Sequence, residues 1–168
     1  MIFGENRKII VAKRILIPVD FNVESLITLK KAIDKLGDIE IEAVLLYSEY
    51  LTDSISELLL YSPKEKKSKL IPALFHEALT ILKNRYEKNL ISVSVEFFHG
   101  YGTNAFKNLL EGNRIDIIYI PSDYKLKLSK NSFDPLPIIR KSQIPFQEVS
   151  WPREQNPFNA ESLSNLFI

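Results

Sequence analysis

The sequence predicts one α/β domain: a doubly wound, mainly parallel five-stranded sheet with helices on both faces. Short apolar runs rich in β-branched residues alternate along the chain with stretches whose apolar residues recur every three or four positions. The length of 168 residues, with 45% hydrophobic and 26% charged residues, suits a single globular domain with its own core. Because strand and helix alternate regularly, we expect right-handed crossovers and parallel strands.

Five apolar runs predict the strands. They cover residues 15–19 (extended back by 9–11), 39–47, 90–98, 115–120 and 144–149. The first run reads Ile-Leu-Ile-Pro-Val and is continuous rather than alternating, which is typical of a strand buried on both faces. The sheet is therefore expected to lie between two layers of helices.

Helical spacing of apolar residues fills the gaps between these runs. The predicted helices cover residues 23–36, 52–61, 73–86, 103–111 and 136–141, with Thr103 or Asn104 as the cap of the fourth. Gly37 stands where a helix C-cap is expected. The lysine-rich run 63–69 is interpreted as a solvated loop or helix start rather than a phosphate-binding patch.

Composition and charge exclude several classes of protein. Lysine plus arginine number 22 and aspartate plus glutamate 21, so the net charge of +1 argues against nucleic-acid binding driven by bulk electrostatics. The chain has no cysteine, which excludes disulfides, thiolate metal sites and a cysteine nucleophile. No apolar run reaches the roughly 18–20 residues of a membrane span, and none near the start resembles a secretory signal. We therefore expect a cytoplasmic protein with no membrane association.

No catalytic or metal-binding pattern appears. His76 and His99 are the only histidines, and neither lies in an HExxH arrangement. The turn from His99 to Thr103 lacks the glycine and lysine pattern of phosphate-binding loops, and no GxSxG elbow is present. We expect no catalytic residue, no metal and no cofactor, and hence a protein that is not an enzyme.

Ligands of doubly wound sheets bind beyond the carboxyl ends of the strands, where the strand order reverses. In this chain the segments concerned are 20–22 and 121–124, which follow the first and fourth strands. Asp20 either accepts hydrogen bonds from a ligand or caps the following helix. Lys125, Lys127 and Lys130 alternate with leucines, which indicates either a phosphate-attracting loop or, as we prefer, an edge strand protected by lysines.

Residues from Lys13 to Val149, most of the chain, resemble the universal stress protein family, a branch of the adenine-nucleotide α-hydrolase-like folds. Residues 13–20 (KRILIPVD) are similar to the opening strand of that family with its terminal aspartate. Residues 41–47 resemble the second strand, and 97–100 followed by 114–120 resemble the strand–glycine–helix–strand passage. Residues 144–146 resemble the start of the final strand.

The ATP-binding branch of that family carries G-x2-G-x9-G-[ST] after the fourth strand, and this chain departs from it. Counting forward puts Pro121, Tyr124 and Asp134-Pro135 at those places, while counting back from Pro145 puts Ser132-Phe133 at the last pair. The chain has five glycines, at positions 4, 37, 100, 102 and 112, so none falls in this loop. A side chain at these places obstructs the close approach of backbone N–H groups to phosphates.

The resemblance implies a regulatory or binding module, and the lost glycines imply that it does not bind ATP through the usual loop. An alternative is a nucleotide-binding protein or weak ATPase with an altered pocket. There Asp20 would hold the adenosine, and Ser122 and Tyr124 with Lys125 or Lys127 would replace the glycine loop. A third possibility is a module for another small ligand or metabolite, in which side chains fill the space of the phosphates and Tyr124 and Tyr47 are the residues of interest.

The chain divides into an extension (1–12), the domain (13–149) and a tail (150–168) that contains Trp151 and an apolar end. In the universal stress protein family the last strand commonly pairs across a dimer. The resemblance therefore implies a homodimer, with the tail either extending the interface or folding back onto its own domain.

Overall fold

The computed structural model describes residues 11–51, 59, 62–100 and 102–150, and within them five strands form one sheet. The strands are β1 (Lys13–Pro18), β2 (Ile41–Ser48), β3 (Leu90–Phe98), β4 (Ile117–Pro121) and β5 (Phe146–Val149). Their order is β3-β2-β1-β4-β5, and all four pairings are parallel. The order reverses between β1 and β4, which makes the carboxyl ends of these two strands the switch point of the sheet.

Helices connect the strands. They are α1 (Leu26–Leu36, preceded by a 3-10 turn at Val23–Ser25), α2 (Pro63–Leu70), α3 (Ala73–Arg85), α4 (Thr103–Gly112) and α5 (Leu136–Lys141). Gly37 follows α1 with a φ of 64°, a left-handed conformation that costs glycine little, so the predicted C-cap is confirmed.

Two apolar layers enclose the sheet. On one face, alternate residues of β1 and β2 pack against α1 and α3, with Leu29 and Phe75 among the fully buried side chains. On the other face, Leu16 and Ile118 pack with Phe106 of α4 and Ile139 of α5. Helices therefore cover both faces, and the predicted doubly wound class, with five parallel strands, is confirmed.

Several boundaries differ from the sequence predictions. Val11 lies outside β1 and is 80% exposed, and β2, β4 and β5 each begin two residues later than expected. The run 63–69 forms the first seven residues of α2. Neither Thr103 nor Asn104 caps α4, whose N-cap position is Gly102 with no side-chain cap.

The prediction of a lysine-protected edge strand at residues 125–130 is wrong. These residues form no strand, and the isolated antiparallel bridge of this loop lies beyond them, between Ser132 and Glu49. The physical reason is that the backbone N–H of Lys127 donates to the carboxylate of Asp20 at 2.7 Å instead of to a neighbouring strand.

Parts of other predictions lie outside the described residues. These are the backward extension of β1 at residues 9–10, nearly all of the predicted helix 52–61, the turn residue Tyr101, and the tail from Trp151 onward. In the described ranges, no helix combines the length and the apolar character needed to cross a bilayer.

Candidate functional site

The switch point lies where β1 and β4 end side by side. Ile15 and Leu16 of β1 align with Ile117 and Ile118 of β4, so the residues that follow both strands emerge at the same edge of the sheet. The connection after β4, residues 122–135, is called here the β4–α5 loop. It contains Ser122, Tyr124 and Lys125, three of the four residues predicted for the alternative nucleotide site; the fourth, Asp20, follows β1.

The carboxylate of Asp20 binds three donors of its own chain. Its Oδ1 accepts the backbone N–H of Asn22 at 2.9 Å, which closes a local turn after β1. Its Oδ2 accepts the hydroxyl of Tyr124 at 2.5 Å and the backbone N–H of Lys127 at 2.7 Å. The helix-cap role considered for Asp20 is not observed, since its acceptors serve the turn and the β4–α5 loop.

Tyr124 is held in its neutral form by this environment. Its side chain is half-buried, and burial raises the pKa of the phenol. The hydrogen bond to Asp20 and the negative charges of Asp20 and Glu24 raise it further. The phenol therefore keeps its proton at neutral pH and can donate it to Asp20.

A second set of contacts ties the β4–α5 loop to the end of β2. The hydroxyls of Tyr47 and Ser129 lie 3.2 Å apart, and the backbone N–H of Tyr50 donates to the carbonyl of Asn131 at 2.7 Å. The N–H of Phe133 donates to the carbonyl of Ser48 at 3.0 Å. The loop thus crosses the carboxyl ends of both β1 and β2.

The side chains of the other residues predicted for this site, Ser122 and the lysines, do not contact Asp20 in the described part of the chain. Ser122 lies at the end of β4, where its N–H donates to the carbonyl of Val149 at 3.0 Å and its side chain reaches Asp123 at 3.1 Å. Lys125 is exposed and does not approach Asp20 through any contact seen in the described residues. The ammonium of Lys127 lies 3.5 Å from Glu24, so its charge is directed toward a carboxylate.

Phe21 adopts a left-handed backbone conformation directly after Asp20. Its φ of 63° is uncommon for a bulky residue and costs of order 1 kcal/mol or more, so surrounding contacts must maintain it. The ring stacks on Tyr47 with centroids 4.4 Å apart, and meets Phe75 and Phe97 edge-on at 5.3 and 6.3 Å. These four rings, called here the aromatic cluster, hold the turn that carries Asp20.

A carboxylate and an imidazole lie where β2 and β3 end. Glu49 is only 3% exposed, and its Oε1 lies 3.8 Å from Nδ1 of His99. The ring of His99 stacks on Phe97 at 6.2 Å. The two groups form an ion pair when the imidazole is protonated. No group of three or more histidine, aspartate or glutamate side chains suited to a metal ion occurs among the described residues.

Sequence reasoning missed Phe21, Glu49, Ser129 and the backbone of Lys127. The pattern Asp-Phe-Asn after a strand indicates a turn, but it does not show that phenylalanine takes the left-handed position. The contact between Asp20 and Tyr124 spans 104 residues of sequence, so no local pattern could reveal it. Tyr47, singled out for the third possibility, does lie at this edge.

Comparisons with known proteins found similar solved structures but no matching family model or curated protein. A universal stress protein from Lactobacillus plantarum has 12% identity and a TM-score of 0.49, with 82% of this chain and 97% of that chain covered.

Two further similar structures contain nucleotides. A universal stress protein in complex with cAMP has 14% identity and a TM-score of 0.46, covering 82% of this chain and 96% of that chain. An Arabidopsis thaliana protein of the universal stress protein family, with AMP bound, has 9% identity and a TM-score of 0.47, covering 89% and 99%. The chain is thus similar to universal stress proteins of known structure.

Proposed function

We propose that this chain is a universal stress protein-like regulatory or binding module that does not bind ATP through a glycine loop. The observation that carries the proposal is the occupation of the Asp20 carboxylate by Asn22, Tyr124 and Lys127. A ligand hydroxyl could reach Oδ2 only by displacing the phenol of Tyr124 or the N–H of Lys127. The donors that a nucleotide would supply are already supplied by the protein.

The chemistry of the β4–α5 loop also disfavours a polyphosphate. The loop has no glycine, and Pro121 before it has no N–H to donate. Carboxylates of Asp20, Glu24 and Glu49 follow β1 and β2 at the same edge, and they repel added negative charge. Lys127, the lysine whose backbone is held at Asp20, directs its ammonium toward Glu24.

Titration of the wild-type protein with ATP, ADP and AMP tests the proposal. We expect Kd values above about 1 mM, equivalent to less than about 4 kcal/mol of binding free energy, by calorimetry. A thermal-shift series should agree, because a ligand that binds only the folded state raises Tm.

The matched variant is Asp20→Ala. Micromolar ATP affinity that Asp20→Ala abolishes would contradict the proposal and support the alternative nucleotide site built on Asp20, Ser122, Tyr124 and Lys125. Affinity that survives Asp20→Ala would also contradict it and would place the nucleotide elsewhere.

We further propose that two copies pair through β5 and that the tail 150–168 extends this interface. Among the described strands, β5 pairs only with β4. The carbonyls of residues 145 and 149 face β4, because they accept the N–H of Ile118 and the N–H of Ser122, the residue that follows β4. Since alternate residues of a strand point to opposite sides, the N–H of Glu148 points away from β4, toward the side on which a second copy would pair.

Substituting Glu148→Pro removes that outward N–H while leaving the bonds to β4 in place. We expect the mass measured by light scattering to fall from that of a dimer to that of a monomer. Glu148→Ala is the control, because it also removes the 2.7 Å ion pair with Arg140 but keeps the N–H. A wild-type protein that is monomeric, or a Glu148→Pro variant that remains dimeric, would contradict pairing through this edge.

A further inference from the structure

We propose that the β4–α5 loop is a strap that closes the carboxyl edge of the sheet, with the Tyr124–Asp20 hydrogen bond as its latch. The proposal rests on the proposed function, in that it explains how the protein's own residues cover this edge, and adds a means by which the edge opens. The first observation that supports it is the number of separate polar contacts, called here ties, that join the loop to the ends of β1 and β2.

The ties lie at two separate places. At β1, Asp20 binds the hydroxyl of Tyr124 and the N–H of Lys127, and Glu24 lies 3.5 Å from the ammonium of Lys127. At β2, the hydroxyl of Tyr47 meets Ser129, and backbone hydrogen bonds join residues 48 and 50 to residues 133 and 131. The middle of the loop has no regular secondary structure of its own. Among the described residues, these ties and the packing of Phe133 against Tyr50 and Phe98 hold the loop in position.

Of these contacts, the hydrogen bond between Tyr124 and Asp20 is the one whose loss is expected to alter the position of the loop most. Tyr124 is the half-buried side chain in a stretch where Lys125, Lys127 and Lys130 are exposed. A hydrogen bond to a charged partner stabilises more than a neutral one, and both Tyr124 and Lys127 use the same carboxylate oxygen. Release of Tyr124 exposes Asp20 and weakens the hold on Lys127, whereas the ties at β2 keep the far end of the loop in place.

The turn that carries Asp20, at residues 20–22, is expected to keep its conformation when the strap moves. Phe21 is held in its left-handed conformation by Tyr47, Phe75 and Phe97, none of which belongs to the loop. Asp20 thus stays in position on β1 while its partners on the loop leave and return. A hinged segment over a rigid base is the arrangement expected of a strap.

The exposed lysines of the strap make it directly testable by limited trypsin digestion. Lys130 lies between Ser129 and Asn131, which the contacts at β2 hold. Cleavage after Lys125 and Lys127 requires the loop to leave Asp20, so the rate at these two sites follows the population of the open state. We expect Tyr124→Phe, which deletes only the latch hydroxyl, to raise cleavage at these sites about tenfold or more relative to wild type. Lys83, exposed in α3, is the internal reference for general loosening.

Tyr86→Phe is the matched control. It deletes a phenol hydroxyl that also donates to an aspartate, Asp34, at 2.8 Å, but joins the end of α3 to α1 and makes no contact with the strap. If cleavage after Lys125 and Lys127 rises no more in Tyr124→Phe than in Tyr86→Phe, the latch does not exist.

Amide hydrogen exchange of the wild type is a second measurement that does not depend on any variant folding. The N–H of Lys127 should exchange at least tenfold more slowly than that of exposed Lys125, and equal rates would overturn the proposal. Neither readout involves nucleotide. ATP binding by the wild type would therefore contradict the proposed function while leaving the result for the strap unaffected.

Discussion

Replacing Phe75 with alanine is expected to lower the free energy of unfolding by about 3–5 kcal/mol, the largest effect predicted for this chain. The ring is completely buried in the layer between the sheet and helices α1 and α3. It also meets Phe21 edge-on at 5.3 Å, so its loss leaves a cavity beside the turn that carries Asp20. Urea unfolding followed by circular dichroism measures the change, provided that the slope of free energy against urea is unchanged.

Leu74→Ala is the control for this substitution. Leu74 precedes Phe75 on the same helix but is 41% exposed, so its truncation should cost less than about 1 kcal/mol. Equal losses in the two variants would mean that Phe75 does not occupy the core position described here. Because Phe75 supports Phe21, the Phe75→Ala variant should also show faster trypsin cleavage in the strap than Leu74→Ala does.

Substitution of Gly100 by alanine is expected to destabilise the domain by about 1–3 kcal/mol through overpacking. The added Cβ would lie 2.6 Å from the Cβ of Ala105 and 2.8 Å from the ring of Phe98. Phe98 is itself buried against Phe106 and Phe133, with ring centroids 5.5 and 5.8 Å away, so it has little room to move. Thermal and urea denaturation report the loss.

Replacing Gly112 with alanine is the control, and it is not expected to destabilise the domain. A Cβ there meets nothing within 4 Å, and the residue ends helix α4, where alanine is the better helix former. Stability of Gly112→Ala should be unchanged or slightly higher. A Gly100→Ala variant as stable as Gly112→Ala would show that the β3–α4 turn is not closely packed.

Most of the fold could be predicted because its signals are local. The continuous apolar run 15–19 indicates a strand covered on both faces, and residues 15–17 are indeed fully buried. Leucines and isoleucines at helical spacing mark α1, and Gly37 marks its end. The boundaries that shifted lie at strand starts, such as Ile117, where apolar sequence continues before hydrogen bonding to the neighbouring strand begins.

The candidate site was predicted only in part. The sequence points to Asp20 and Tyr124 as residues of the alternative nucleotide site, and the structure brings them together as partners of each other. The lysines after Tyr124 have the pattern of an edge strand, and nothing local shows that the N–H of Lys127 donates to a carboxylate 107 residues away. Likewise, no propensity places a phenylalanine at a φ of 63°, since only the three rings around it make that conformation tolerable.

The sequence alone thus determined the order and type of the elements, the parallel sheet and the absence of a glycine loop after β4, because each depends on residue type and on short-range periodicity. Only the tertiary structure decided what occupies the carboxyl edge. The parallel crossovers bring Asp20, Tyr47 and the β4–α5 loop together from distant parts of the chain. A partly buried carboxylate is stable only when it accepts hydrogen bonds. Once these segments are adjacent, Asp20 accepts them from the side chain of Tyr124 and from backbone N–H groups of the protein itself.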